Sequence, residues 1–269
     1  MGETRQAPPR LTPMEVASVV NKNFTRGGAR QQFKIDGRVV PKNVTLLGSG
    51  HYGDVFRIIT RCNTTYAVKV ILVEKLREYD ILQRLNSVRQ ILHVYGSCTF
   101  GKRDEYAMIL MEYCDGSTLT DYDESLSERA VLQITRDILA ALIACQEVDE
   151  YHAIFHGDLH LENIMICRGQ TKIIDWGDAK LVSRGPSFKL YVEKDHYALA
   201  RVILLLLTSG VDIPRVYNRH ELLQIIGQQQ ISARMTTLLR GIAEGKRGFE
   251  YSPDVQEQVL RLLEAQPEE

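Results

Sequence analysis

The chain has 269 residues, 44% apolar and 25% charged, with a formal net charge of −1. That balance excludes disordered and fibrous classes, and it lacks the basic footprint of a nucleic-acid-binding protein. The length suffices for one large domain or two modest ones around a substantial core. Five cysteines, an odd number with no C-x-x-C pair, point to reduced thiols rather than a disulfide framework or a zinc knuckle. No apolar N-terminal run marks a secretory signal, and Gly2 followed by Gln6 does not meet the myristoylation pattern. The run VILLLL at 202–207 is far short of the roughly 20 residues a membrane span needs. The expectation is a soluble, intracellular, cytoplasmic protein without a membrane span.

In chain order, residues 1–40 are polar and broken by prolines and glycines, which predicts a partly flexible leader with a short helix around MEVASVVNKNF. From 43 the pattern becomes strand-like: NVTLLG, DVFRIIT and TYAVKVILV are rich in β-branched residues and separated by turn residues. VEKLREYDILQRL (73–85) contains neither Gly nor Pro and predicts a helix, and ILHVYGSC and YAMILMEY predict two further strands. SLSERAVLQITRDILAALIAC opens with Ser125 and Glu128 at capping-box spacing, then repeats Val131, Ile134, Ile138 and Leu142 on one helical face. After the loop HGDLHLEN come two short strand-like pieces, IMIC and TKIID. Helices occupy the chain from Asp195 onward, the last capped by Ser252 ahead of Pro253. Strands first and helices second predict an α+β fold of two lobes with a seam near Glu112–Gly116.

GSGHYGDVF places Gly48, Gly50 and Gly53 in G-x-G-x-x-G spacing. In a dinucleotide fold such a motif runs into a helix. Here Val55, Phe56, Ile58 and Ile59 follow and favour a second strand, so the glycines sit at a hairpin tip where backbone amides can approach phosphate. Sixteen residues beyond Gly53, Lys69 shares a strand face with Ala67, and a lysine at a strand interior calls for an anionic partner. Without the glycine hairpin, a solvated strand lysine is the simpler reading. His152, His156 and His160 recur every fourth residue, which on a helix would allow a zinc site, but Gly157 and Asp158 interrupt helical character.

The ordered set LGSGHYGDVF, YAVKV, LMEYCDGSTL, HGDLHLEN, IIDWG and DHYAL, over roughly residues 43–210, resembles the protein kinase superfamily. The resemblance implies a bilobal kinase-like fold: 41–111 as a mainly β N-lobe, and 112–269 as hinge and shortened α-helical C-lobe. It implies that Gly48, Ser49, Gly50, Gly53, Val55 and Ala67 enclose ATP, and that Lys69 holds its α- and β-phosphates. Glu78, in EYDIL, is the implied partner of Lys69, with Glu74 as the alternative because only nine positions separate Lys69 from Glu78. Met111 would guard the back of the adenine pocket, with hinge bonds from Glu112 and Cys114. Asp158 would be the catalytic base, and Asn163 and Asp175 would hold Mg2+.

Four departures from the family pattern bear on function. Gly157 replaces the arginine that grips a phosphorylated activation loop, which argues against that mode of switching. His160 stands where kinases of Ser and Thr carry a lysine, and a protonated His160 could still contact phosphate. Trp176 replaces a phenylalanine. Only 19 residues lie between Asp175 and Asp195, with no A-P-E sequence, so the peptide-docking segment is cut short. Such pruned kinases are similar to those of viruses or of bacteria that deliver effectors, in which case the site of action would be a host cytoplasm or nucleus. The expectation is transfer of the γ-phosphate of Mg-ATP to Ser or Thr of a protein substrate. Two alternatives stand: a small-molecule phosphotransferase, suggested by HGDLH, and a kinase-fold binding protein that acts on a regulatory protein partner with little or no phosphotransfer.

Overall fold

The computed structural model describes residues 11–24, 41–50, 53–121, 126–208, 219–246 and 250–265. The chain divides into two compact units, one of residues 1–86 and 92–114, the other of 87–91 and 115–269.

In the first unit, helix α1 (Pro13–Phe24) precedes strands β1 (Pro41–Gly50), β2 (Gly53–Thr60) and β3 (Thr65–Leu72). Helix α2 (Arg77–Arg84) follows, then strands β4 (Val94–Phe100) and β5 (Tyr106–Glu112). The strands form one antiparallel sheet in the order β1-β2-β3-β5-β4. The predicted helix over 73–85 is shorter than expected: Val73–Lys75 form a single 3-10 turn before α2 begins. The helix expected in the leader is α1. It starts with a reciprocal cap, in which Thr12 N–H donates to the Glu15 carboxylate at 2.7 Å and Glu15 N–H donates to the Thr12 hydroxyl at 3.3 Å. Val16 and Val20 of α1 are fully buried in one cluster with Phe56, Ile58, Val68, Val70, Met108 and Leu110. These are the alternate positions of β2, β3 and β5, so α1 seals one face of the sheet and leaves the Ala67–Lys69 face to other work.

In the second unit, β6 (Gly116–Thr118), β8 (Ile164–Cys167) and β9 (Gln170–Ile173) make one small sheet. Strand β7 (His152–Phe155) pairs with β10 (Lys180–Ser183). Helices α3 (Glu128–Gln146), α4 (Phe188–Leu207), α5 (Arg219–Gln228), α6 (Ala233–Glu244) and α7 (Ser252–Glu264) supply the bulk of the core. Residues 87–91 join this unit because Ile173 N–H donates to the Gln90 carbonyl at 2.7 Å and Ile91 bridges Ile173. Among the described residues, no helix is long and apolar enough to cross a membrane.

Four expectations are corrected. Ser127, not Ser125, caps α3, accepting from Ala130 N–H at 3.2 Å. Ser125 lies outside the described residues, and the Glu128 carboxylate is taken by Ser232 N–H and Arg234 at the start of α6. Ser252 does not cap α7. It is fully buried as the first helical residue and accepts from the Gln146 amide at 2.9 Å, while Tyr251 N–H meets Asp254 at 2.9 Å. Helix α4 begins at Phe188, seven residues before Asp195, because Phe188, Tyr191 and Val192 pack on Phe155 and Ala153 of β7. Cys62, Cys98 and Cys145 are free thiols, whereas Cys114 and Cys167 are disulfide-bonded, so not all five cysteines are reduced. Scatter along the chain does not report where sulfurs lie in space.

Candidate active site

In the first unit, β1 and β2 form the glycine hairpin. Gly48 pairs with Val55, Ser49 with Asp54 and Gly50 with Gly53, and the tip residues 51–52 lie outside the described residues. A bulge between Leu46 and Gly48 re-aims the strand end. Gly53 is sterically obligatory, since its φ is +135° and a Cβ would stand 2.1 Å from the Val70 carbonyl oxygen. Around Gly48 and Gly50 the space is open, which leaves the backbone accessible.

The register of the sheet then collects the expected nucleotide-binding residues. Val55 lies opposite Lys69, and Ala67 lies opposite Met111. Lys69 is only 6% exposed, which rules out the solvated reading, and its Nζ meets both carboxylate oxygens of Glu78, at 2.7 and 2.8 Å. A buried ammonium needs such a partner, because desolvation of an unpaired charge is costly. Glu78 reaches it from the first turn of α2, helped by the buried Tyr79, Ile81 and Leu82 that anchor that helix. Glu74 sits on the exposed 3-10 turn. Glu112 donates its N–H to the His93 carbonyl at 2.7 Å, and Cys114 is half-buried two residues on.

In the second unit, the loop that follows β7 is held from three sides. His156 is fully buried: its Nε2 donates to the Ile174 carbonyl at 3.1 Å and its Nδ1 accepts from Asp158 N–H at 3.3 Å. Those partners fix the neutral tautomer with the proton on Nε2, and burial holds the imidazole pKa below its usual value. The Trp176 indole packs edge-on against this ring at 4.7 Å. Asp195 of α4 accepts the N–H groups of His156 and Gly157, both at 3.2 Å. Burial pushes its carboxyl up to about 6, with those two amides opposing the shift. This bracing of the loop was not foreseen: the sequence marked Asp195 only as a helix landmark. Gly157 takes φ +81°, and a Cβ there would stand 2.9 Å from the Asp178 carbonyl.

Asp158 and His160 lie together and half-exposed, with His160 Nε2 3.3 Å from Asp158 Oδ2. The same Nε2 is 2.9 Å from Asn163 Nδ2. A neutral Nε2 either donates to Asp158 or accepts from Asn163, not both, so His160 sits between two alternative hydrogen bonds. Asn163 Nδ2 also donates to the Asp158 carbonyl at 2.9 Å, which ties the loop shut and leaves Oδ1 as a free donor to a cation. The β8–β9 pairing brings Asn163 beside the residues after β9, where Ile174 N–H donates to the Asn163 carbonyl at 2.9 Å. Asp175 is next, with φ +56° and its carboxylate accepting from Gly177 N–H at 3.4 Å. Among the described residues, no group of three or more His, Cys, Asp or Glu gathers to hold a metal. Two oxygen donors at one hairpin end suit Mg2+, which binds through one or two protein oxygens plus substrate phosphates. The three histidines spaced by four share no helical face: His152 lies in β7 and bonds Asp149 at 3.0 Å.

The chain matches the protein kinase domain family over residues 42–213. It is 27% identical over 177 residues to a probable serine/threonine-protein kinase of Dictyostelium discoideum, covering 59% of this chain and 22% of that protein. The NUAK family SNF1-like kinase 2 of Homo sapiens is 26% identical over 167 residues, covering 58% of this chain and 26% of that protein. The tyrosine-protein kinase SRK3 of Spongilla lacustris is 27% identical over 142 residues, 51% of this chain and 42% of that one. The chain thus spans about a quarter of the length of the two former relatives. With its motifs in order and the family match extending over more than half its length, this chain belongs to the protein kinase domain family.

Proposed function

We propose that the chain is an ATP-dependent kinase that transfers the γ-phosphate of Mg-ATP to Ser or Thr of protein substrates, with 41–111 as the nucleotide lobe and 112–269 as hinge and acceptor lobe. The observation that carries this reading is the buried Lys69–Glu78 pair. A fixed cationic centre on the strand that follows a glycine hairpin is what α- and β-phosphates require. In this reading Gly48, Ser49, Gly50 and Gly53 lie over the phosphates. Val55, Ala67 and Met111 wall the adenine, and the backbones of Glu112 and Cys114 bond it. Asn163 and Asp175 hold Mg2+, which neutralises phosphate charge when bound. Asp158 accepts the hydrogen bond of the acceptor hydroxyl, aims its oxygen at the γ-phosphorus, and takes the proton as the new O–P bond forms and the bond to ADP breaks. His160 hydrogen-bonds the γ-phosphate when it turns from Asp158.

Serine/threonine preference rests on the name of the Dictyostelium relative, with the sponge tyrosine kinase against it. The short span between Asp175 and α4 favours a second reading, phosphorylation of a small molecule. Incubation with labelled Mg-ATP, a cell extract and a panel of sugars and amino alcohols separates the two. The expected result is label on protein Ser or Thr, reduced about 10²- to 10⁴-fold by Asp158→Asn. Label on a small molecule alone supports the second reading. Nucleotide binding with no transfer supports a kinase-fold binding protein.

A further inference from the structure

A cavity of about 470 Å³ opens beside Asp158, entirely within the second unit. Gly157–His160 form one wall, and α4 forms the other through Lys194, Tyr197 and Arg201, with Arg219 at the start of α5. Positions 190, 194, 197 and 201 share one face of α4, opposite the face that buries Val192, His196, Leu199 and Ile203 in the core. This volume lies within the range of sites that enclose small ligands or a few side chains.

The lining is unbalanced in charge. Three cations, Lys194, Arg201 and Arg219, stand against two carboxylates, Asp158 and Glu193. Glu193 is engaged by Arg219 at 3.4 Å, and Asp158 by His160. Lys194 lies over the Tyr191 ring at 5.2 Å, and the charges of Arg201 and of Glu221 on α5 act in opposite directions on the Tyr197 hydroxyl. Among the described residues, neither Lys194 nor Arg201 belongs to an ion pair, so two cationic heads remain available beside the candidate base.

We infer that this cavity is the acceptor pocket, and that Lys194 and Arg201 select hydroxyl residues flanked by acidic side chains. The inference rests on the kinase reading above and specifies its substrate class. Seven positions of helix separate the two cations, roughly 10 Å at 1.5 Å per residue. An extended peptide covers that distance in about three residues. Acidic side chains within about three positions of the acceptor hydroxyl therefore meet one cation or the other. Arg201 can hold a carboxylate or phosphate with two parallel bonds, whereas Lys194 acts as a point charge.

The test compares the full chain with Arg201→Glu and Lys194→Glu, each checked for folding by circular dichroism and thermal melting. Matched peptides carry one Ser or Thr flanked by Glu, by Gln or by Lys, and kcat/KM is measured with Mg-ATP at low salt. The wild type is expected to favour the acidic flank over the neutral one about tenfold, and each reversal should lower that ratio by about the same factor. Arg201→Gln and Lys194→Gln should give intermediate ratios, which guards against a folding defect in the charge reversals. Fluorescence anisotropy of the labelled acidic peptide, with Mg-ADP present, reads the pocket without catalysis. Binding that Arg201→Glu weakens, without transfer to any peptide, upholds the pocket while refuting the kinase reading. An equal or basic preference in the wild type overturns the inference, as does a ratio that neither reversal moves. Neither transfer nor binding overturns it too, and so does label on a small hydroxy acid with none on peptides.

Discussion

Lys69 and Glu78 meet with side chains 8% and 3% exposed, at 2.7 Å, while Asp158 and His160 meet at 3.3 Å with side chains 46% and 39% exposed. The first pair is locked, because losing either partner strands a charge in a dry interior. The second is cheap to rearrange, because water can replace either partner. That difference matches the tasks proposed for them. A phosphate anchor gains from a charge that stays put, whereas a group that receives a hydrogen bond from one hydroxyl after another has to let its partner go.

Stability measurements break this comparison most directly. Lys69→Met or Glu78→Gln should lower the unfolding free energy by about 3–5 kcal/mol in urea titrations. Asp158→Asn, which abolishes the proposed chemistry, should change it by less than about 0.5 kcal/mol. A large loss from Asp158→Asn would show that the half-exposed pair is structural after all. Glu74→Gln should cost under about 1 kcal/mol, and a larger cost would move the partner role away from Glu78.

Asp195 sharpens the same contrast from the buried side. Its folded-state pKa of about 6 lies above the ordinary 3.8, so the folded state holds the proton longer than the unfolded chain does. Its contribution is fully present below pH 3.8 and is lost as pH rises to about 6, a fall on the order of 3 kcal/mol. Asp195→Asn should flatten that part of the stability–pH curve, and an unchanged slope would assign the titration elsewhere. Gly157→Ala should cost less than either buried change, about 1–2 kcal/mol, since alanine is strained at φ +81° and its Cβ crowds the Asp178 carbonyl. Thermal melting reads it, and a neutral result would mean that the loop adjusts freely.

Much of this was legible in the chain itself, for physical reasons. Lys69 and Ala67 on one strand face followed from two-residue alternation, and Glu78 from its place before Ile81 and Leu82 in EYDIL, although the spacing alone left Glu74 open. What escaped depended on tertiary partners. Ser125 and Ser127 are equally good caps by type, and the choice fell with the position of Ser232 and Arg234, 104 and 106 residues from Glu128. Ser252 has the composition of a cap, yet its hydroxyl is turned inward to Gln146 and His196. The early start of α4 depends on Phe155, a residue on another strand. Lys194 and Arg201 drew no notice because charged residues on a helix are usually a solvated face, and only the fold sets them beside Asp158.

The family match begins at residue 42, but the first unit's core begins earlier, at Val16 and Val20 of α1. Homology and folding therefore draw different borders on this chain. A fragment trimmed to the family border would lose the lid over Phe56, Ile58, Val68 and Val70, uncovering an apolar face on a five-stranded sheet. Such a fragment would contain every residue of the proposed chemistry and still be sticky in solution. Anyone shortening this protein should cut ahead of Thr12, whose hydroxyl and amide start the helix that keeps the sheet covered.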